Sequence, residues 1–462
     1  MGQPDMDDTI VALATAPAVG AIGVIRLSGK DAIHICNRVF KGKDLEAQAS
    51  HTIHFGTIRG DSDEIIDEVL VSLFVAPKSY TKENVVEISC HGSPYIQQKI
   101  VELLLKKGAR MANPGEFTMR AFLNGQMDLS QAEAVAELIA SDSEVSHDLA
   151  MKQMRGGFSK KIAVLRETLI KFASLIELEL DFGEEDVEFA ERTELKQTIS
   201  QIQKTINQLI GSFQLGNVIK NGISTVIAGR PNAGKSTLLN ALLNEDRAIV
   251  SEIAGTTRDT IEEKLNIKGL QFRLIDTAGI REATDAIEIL GVHKTMEKIE
   301  SSTLLVYVFD VIKLKPEQVI EDIQTLRRSG LTIVGVANKM DLNPYTKPEW
   351  YVCEGLPLDH IVTTSAINEM NIEYLKEKLV EVATSGKLMQ DQSIVTNSRH
   401  YEALLGANQS LEAALLGMEQ GITTDFVAID IRRATHYLGL ITGAISSDDL
   451  LDRIFRDFCI GK

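Results

Sequence analysis

Between residues 223 and 366 five short motifs occur in a fixed order, and together they dictate an α/β core that presents its loops to phosphate. Residues 223–237, ISTVIAGRPNAGKST, read as an apolar strand, a glycine-bounded loop and the start of a helix. Gly229, Gly234, Lys235 and Ser236 fill the spacing G-x-x-x-x-G-K-[ST]. Glycines there let backbone N–H groups approach phosphate oxygens, and the helix that follows aims its positive end at them. AGTTRDT (254–260), DTAG (276–279), NKMD (338–341) and TSA (364–366) come next. The first loop alone serves ATP or GTP; NKMD decides for guanine. The Asp341 carboxylate can accept from the guanine N1–H and from the exocyclic amine beside it, a pair of donors that adenine lacks.

Each motif has its own chemistry. Lys235 supplies a mobile positive charge to the β- and γ-phosphates, and the Ser236 hydroxyl is placed for Mg²⁺. Asp276, at the end of the apolar run FRLID, is the carboxylate expected to hold that metal through water, and Thr257 the hydroxyl that closes on it. Asn338, Lys339 and the backbone at Ala366 complete the base pocket. Ile280 follows DTAG where related switches place a glutamine that orients the attacking water. Water positioning and a compensating positive charge must therefore come from elsewhere, and a monovalent cation at Asn232, with closure of a second such domain, meets the need.

Lys and Arg number 48 against 65 Asp and Glu, a net charge of −17, so the surface as a whole repels nucleic acid and any RNA contact needs a local basic patch or a partner's surface. The four cysteines, Cys36, Cys90, Cys353 and Cys459, show no CxxC or Cys/His spacing, which argues against zinc and a disulfide framework and for a reducing cytosol. The apolar stretch after the acidic start is broken by Pro17 and glycines, so neither a signal peptide nor a membrane span is expected.

Three textures organise the chain. Residues 1–120 mix short β-rich runs (TIVALAT, AIGVIRLS, VLVSLFVA, VVEISC) with the amphipathic PYIQQKIVELLLKK, which reads as an α/β or α+β domain. Over 121–218 the strands vanish, and Ile162, Leu165, Leu169, Ala173, Ile176 and Leu180 recur at helical spacing, as do Leu195, Ile199, Ile202, Ile206 and Phe213. Residues 219–383 hold the nucleotide motifs. Helical spacing returns over 384–462 with Leu404, Leu411, Leu415 and Met418, then Val427, Ile431, Ala434, Leu438 and Ile441. The expected fold is therefore multidomain: an N-terminal α+β domain, a helical domain formed by two sequence segments, and a Ras-like P-loop GTPase domain inserted between them, an arrangement tolerated at surface turns.

The chain resembles the MnmE (also called TrmE) family of tRNA-modification GTPases from end to end. The residues carrying the likeness are DTIVALAT, GVIRLSG, NPGEFTMRAFLNGQMDLSQAEA (113–134), GRPNAGKSTLLNAL with AGTTRDT, and the closing SSDDLLDRIFRDFCIGK. The resemblance implies a homodimer formed through the N-terminal domain, which is folate-binding-like and holds a tetrahydrofolate one-carbon donor (5-formyl or methylene form). It implies action with the flavoprotein MnmG to place an aminomethyl-type group on C5 of the wobble uridine of certain tRNAs, in the cytoplasm. GTP hydrolysis is then stimulated by K⁺ and by pairing of G domains.

By the same resemblance, K⁺ is held by Asn232, Ser251, Ile253 and Thr256, and Glu288 helps arrange the hydrolytic water. Nucleotide contacts are expected at Asn232, Ala233, Gly234, Lys235, Ser236 and Thr237, then at Ser251, Glu252, Ile253, Ala254, Gly255, Thr256 and Thr257. Further contacts fall at Asp276, Thr277, Ala278 and Gly279, and around the base at Asn338, Lys339, Asp341, Ser365 and Ala366. Arg26, Glu87 and Lys462 match folate contacts. A fourth such position, lysine in some members, is Gln126 here, with one positive charge fewer. Cys459 has two readings, a reactive thiol near the substrate or a small buried hydrophobe. Ile454 and Phe458 should dock the tail and leave 459–462 free to extend. A second class of function stays open: a ribosome-assembly or signalling GTPase acting only as a binding switch shares GRPNxGKST and AGTTRD. Arg26, Glu87 and the FCIGK tail discriminate against it.

Overall fold

The structure is a computed structural model that describes residues 7–181, 192–243, 263–275, 302–384, 393–456 and 458–461. Its residues group into two compact units, one comprising 1–139, 152–199 and 409–462, the other 140–151 and 200–408.

The first unit contains a seven-stranded sheet: β1 (Ile10–Leu13), β2 (Ile22–Ser28), β3 (Phe40–Lys41), β4 (Thr52–Arg59), β5 (Ile65–Phe74), β6 (Val85–His91) and β7 (Arg110–Met111), in spatial order β3-β4-β5-β6-β2-β1-β7. All pairings are antiparallel except β1 with β7. Strand residues alternate between faces. Ile25, Leu27, Val71, Leu73, Val86 and Ile88 point inward and pack under Ile35, Ile100 and Leu104 of the helices Ala32–Asn37 and Pro94–Lys106. The opposite face carries Arg26, Glu87, Ile53, Phe55 and Leu70. The sheet bears out the α+β reading.

The helical periodicity of the sequence also matches what forms. Helix Gly157–Asp181 buries Ile162, Leu169, Ala173 and Ile176 and packs along helix Thr424–Thr442, which buries Val427, Ile431, Ala434, Leu438 and Ile441. Helix Arg192–Asn221 buries Leu195, Ile199, Ile202 and Ile206, and helix Ser398–Glu419 buries Leu404 and Leu411. Phe213 stacks on Tyr401 at 4.2 Å between centroids. No helix among the described residues is long and apolar enough to cross a membrane.

The second unit holds a six-stranded sheet: β8 (Ile223–Ala228), β9 (Glu263–Ile267), β10 (Leu270–Leu274), β11 (Leu304–Asp310), β12 (Thr332–Asn338) and β13 (Ile361–Thr363), ordered β13-β12-β11-β8-β10-β9. It is parallel apart from the β9–β10 hairpin. Strand β11 is buried at all seven residues, as expected of a parallel strand covered on both faces. Helices Lys235–Leu243 and Ile372–Thr384 supply Leu238, Leu239, Leu242, Leu375 and Leu379 to one core, and helix Pro316–Leu326 supplies Val319 and Ile323 to another. In such sheets the loops at the carboxyl ends of the strands form the binding crevice. GRPNAG follows β8, Asp310 ends β11, NKMD begins at the last residue of β12, and TSA follows β13.

Candidate functional site

Gly229 has φ +153°, and a Cβ there would lie 2.0 Å from the Val308 carbonyl oxygen. Gly234 has φ +95°, and a Cβ would lie 2.2 Å from Asn338 Nδ2. Gly229 is therefore required by the close approach of a backbone carbonyl, and Gly234 by its positive φ and the Asn338 amide packed against it, in a loop that also turns through Asn232 at φ +59°. Lys235 opens the helix Lys235–Leu243, and its ammonium donates to the Gly229 (2.8 Å) and Arg230 (3.2 Å) carbonyls. The loop is braced from outside: the Arg230 guanidinium engages both carboxylate oxygens of Asp322, at 2.8 and 2.9 Å, and Tyr307 donates its hydroxyl to the same group. A loop of this shape fits a phosphate chain, with Lys235 positioned to follow the charge and Ser236 in the first helical turn to meet a divalent metal.

Asn338 ties three loops together. Its Nδ2 donates to the Ala233 carbonyl (2.9 Å), and its Oδ1 accepts from the Ala366 N–H (3.0 Å). Asn338, Ser365 and Ala366 are buried, whereas Asp341 is exposed, leaving its two oxygens for a ligand. Thr237 and Asn232 are also exposed. Lys339, at φ +67°, reaches back to the Asn232 carbonyl (2.9 Å) and to Asp310 Oδ2 (2.7 Å). Thus the expected loops 232–237, 338–341 and 365–366 come together. Ser251, Glu252, Ile253, Ala254, Gly255, Thr256, Thr257, Asp276, Thr277, Ala278, Gly279 and Glu288 lie outside the described residues, as does Lys462.

Asp310 was not apparent in the sequence. Burial alone would raise its carboxyl, but hydrogen bonds from Lys339 and from the Ile312 and Lys313 N–H groups outweigh this and hold it below the ordinary carboxylate range. An ionised Asp310 pins the Lys339 stem where it can lie along a purine. Asp310→Asn should weaken guanine-nucleotide affinity about tenfold, the loss of one charge-assisted bond. Titration with a fluorescent GDP analogue measures this; unchanged affinity would mean that Lys339 needs no such anchor.

On the open face of the N-terminal sheet, Arg26 and Glu87 are directly cross-strand partners. Arg26 Nε and Nη2 both reach Glu87 Oε1, at 2.9 and 2.8 Å, and Nη1 donates to the Gly461 carbonyl at 3.3 Å. The guanidinium lies 5.7 Å from the Tyr80 ring centre and 5.8 Å from that of Phe117. Among the described residues, two guanidinium N–H groups and Glu87 Oε2 are left without a partner, a donor–acceptor edge suited to a pterin-like ring. Gln126 is exposed, and Lys82 supplies a positive charge to the same loop by donating to the Asn124 (3.1 Å) and Gly125 (2.8 Å) carbonyls. The tail differs from expectation. Phe455 and Phe458 dock it against Met119 and Leu129, with Ile454 alongside, but the segment beyond is held: Gly115 N–H donates to the Cys459 carbonyl, and Gly461 is buried. Cys459 is exposed, which overturns the buried-hydrophobe reading of that thiol.

Behind this site lies a buried charge network that the sequence did not reveal. Arg120, fully buried, donates to the Asp8 carbonyl (2.9 Å), to the Asp8 carboxylate, to Glu116 (3.0 Å) and to Glu83 (3.3 Å). Arg110 joins Glu116 at 2.6 Å and Asp8 at 2.5 Å. The network fastens helix Glu116–Leu123, and with it Phe117 and Thr118, under Arg26 and Tyr80.

The sequence model of the MnmE helical domain matches residues 129–459, and that of the GTP-binding protein TrmE N-terminus matches 9–126. The chain is 54% identical over 455 residues to the tRNA modification GTPase MnmE of Cytophaga hutchinsonii, covering 98% of each. The chain belongs to the MnmE family of tRNA modification GTPases. Its likeness extends to the MnmE of Flavobacterium psychrophilum, at 53% identity over 98% of this chain and 99% of the relative. That of Bacteroides fragilis is 48% identical over the same shares. As an MnmE protein it is a GTPase acting in tRNA modification, and the switch-only class is set aside.

Proposed function

We propose that the chain uses GTP hydrolysis to gate a one-carbon transfer from a tetrahydrofolate derivative to C5 of the wobble uridine, working with the flavoprotein MnmG in the cytoplasm. The observation that carries this is the Arg26–Glu87 pair on the open sheet face, capped by the Gly461 carbonyl of the FCIGK tail. Arg26, Glu87, Gln126 and Lys462 would contact the folate, as the resemblance implies, and Cys459 is an exposed thiol. The folate supplies the one-carbon unit when bound. The division into domains 1–120, 121–218, 219–383 and 384–462 belongs to this proposal.

The homodimer has support on the same face. Phe55 and Leu70 are cross-strand partners, 67% and 47% exposed, with Ile53 at 66% beside them. A row of large apolar side chains left in water on one sheet face favours a second copy of the chain covering it. The row runs from Ile53 through Ser72 to Glu87 and Arg26, so that copy would close over the folate site.

Calorimetry with 5-formyltetrahydrofolate tests the reading. Wild type should bind saturably and Arg26→Ala should bind about tenfold or more weakly, since a charge-assisted contact is lost. Saturable binding indifferent to the substitution would put the folate elsewhere.

For hydrolysis, Asn232, Ser251, Ile253 and Thr256 would hold K⁺, Ser236, Thr257 and Asp276 would hold Mg²⁺, and Glu288 would orient water in place of the glutamine missing at Ile280. The exposed, left-handed Asn232, its carbonyl fixed by Lys339, supports the first of these. GTP turnover should be at least about tenfold faster in KCl than in NaCl, and Asn232→Ala should abolish the difference, as expected when a charge-stabilising contact is removed. Equal rates in the two salts for the wild type would eliminate the cation.

A further inference from the structure

Charge is distributed unevenly along this acidic chain. Residues 121–151 contain six carboxylates and no Lys or Arg, whereas residues 152–171 contain Lys152, Arg155, Lys160, Lys161, Arg166 and Lys171 against Glu167 alone. Most of these cations fall on helix Gly157–Asp181, which packs along helix Thr424–Thr442. A groove of about 570 Å³ lies between the two, bordered by Ile170, Ser174, Glu177, Arg433 and His436. Arg432 on its rim is already engaged by Glu177, and Arg433 sits 3.6 Å from Asp430 with more than half its side chain exposed. Lys160, Lys161 and Lys171 are exposed and make no ion pair with any described residue. Lys160 and Lys171 are eleven residues apart, three helical turns, so they share one stripe about 16 Å long. Glu167 is the one carboxylate on that stripe.

We propose that this stripe, together with Arg433 on the helix packed alongside, forms a phosphate-binding surface for the tRNA. In a chain of net charge −17, electrostatics exclude a polyanion from most of the surface and leave a concentrated basic strip as the favourable approach. Lysines suit such a surface, because the arms of a folded RNA present phosphates at a regular spacing and are held largely by shape and backbone charge, without base readout. The proposal rests on the tRNA activity of the family and not on the folate or potassium assignments.

The test is tRNA binding by the full chain, measured by fluorescence anisotropy between about 50 and about 200 mM KCl. The triple variant Lys160→Glu, Lys171→Glu, Arg433→Glu should bind at least tenfold more weakly, with a salt dependence shallower by about two to three, since three phosphate contacts are removed. Its GTP hydrolysis without tRNA should be unchanged, which controls for folding. Lys160→Arg, Lys171→Arg, Arg433→Lys should bind as the wild type does. Equal affinity and slope in the charge-reversed chain, with the wild type binding tRNA, overturns the surface and leaves the family's activity standing. A wild type without tRNA affinity overturns the proposal as well. So does a charge-reversed chain that keeps tRNA affinity but fails to modify tRNA with its flavoprotein partner, because the strip is then a protein contact.

Discussion

Asp341→Asn is expected to lower GTP affinity by about a hundredfold or more, on the order of 3 kcal/mol, because a double acceptor covered by the base becomes a mismatched donor facing the guanine N1–H and amine. Of the NKMD side chains, the geometry leaves this one disengaged for such a role among the described residues. Asn338 uses both ends of its amide on the Ala233 and Ala366 backbones, and Lys339 is held by Asp310 and the Asn232 carbonyl. Asp341 alone of the NKMD polar side chains is exposed. The same change presents a donor to the extra carbonyl of xanthine, so xanthosine triphosphate should bind the variant better than GTP does. Competition between the two nucleotides measures it, and a variant that still prefers GTP would place base recognition elsewhere.

Arg120→Met should cost about 3 kcal/mol or more of stability, because Asp8, Glu83 and Glu116 lose a shared buried cation while their carboxylates remain. For Asp8 and Glu116, burial pushes the carboxyls up, but hydrogen bonds from Arg110 and the surrounding positive charge prevail and hold both below the ordinary range. A depressed folded value contributes stability that is complete above the unfolded value near pH 4 and is lost as pH falls through the folded one. Wild type should therefore weaken in acid, and the variant should start lower and lose less. Urea unfolding at neutral and acidic pH gives both numbers. A loss under about 1 kcal/mol would make the network dispensable.

What could be read from residues alone were features fixed by local chemistry. The loop at 229–236 needs glycines wherever it occurs, and the helices around Ile162 and Ile431 announce themselves by spacing. Strands β3, β4 and β7 were not apparent. In β4 the outward positions are Ile53 and Phe55 while His54 and Gly56 face inward, so the alternation that marks a half-buried strand is reversed in polarity. The polar braces were equally hidden, because their partners meet only through the fold: Arg230 and Asp322 are 92 residues apart, Lys339 and Asp310 29, and Arg120 and Asp8 112. No local pattern announces which carboxylate an arginine will find at such distances.

The parallel pairing of β1 with β7 has a consequence for biosynthesis. Ile10 lies opposite Arg110, so one edge of β1 waits a hundred residues of synthesis for its neighbour. At about 5–20 residues per second this takes roughly 5–20 s. During that interval β2 can already have paired with β1 from the other side, while Val11 and Ala12 line an open backbone edge of the kind that recruits foreign strands. The salt bridge between Asp8 and Arg110 then acts as the latch that ends the vulnerable period. Nascent chains stalled before residue 110 should be the ones that aggregate or call on chaperones.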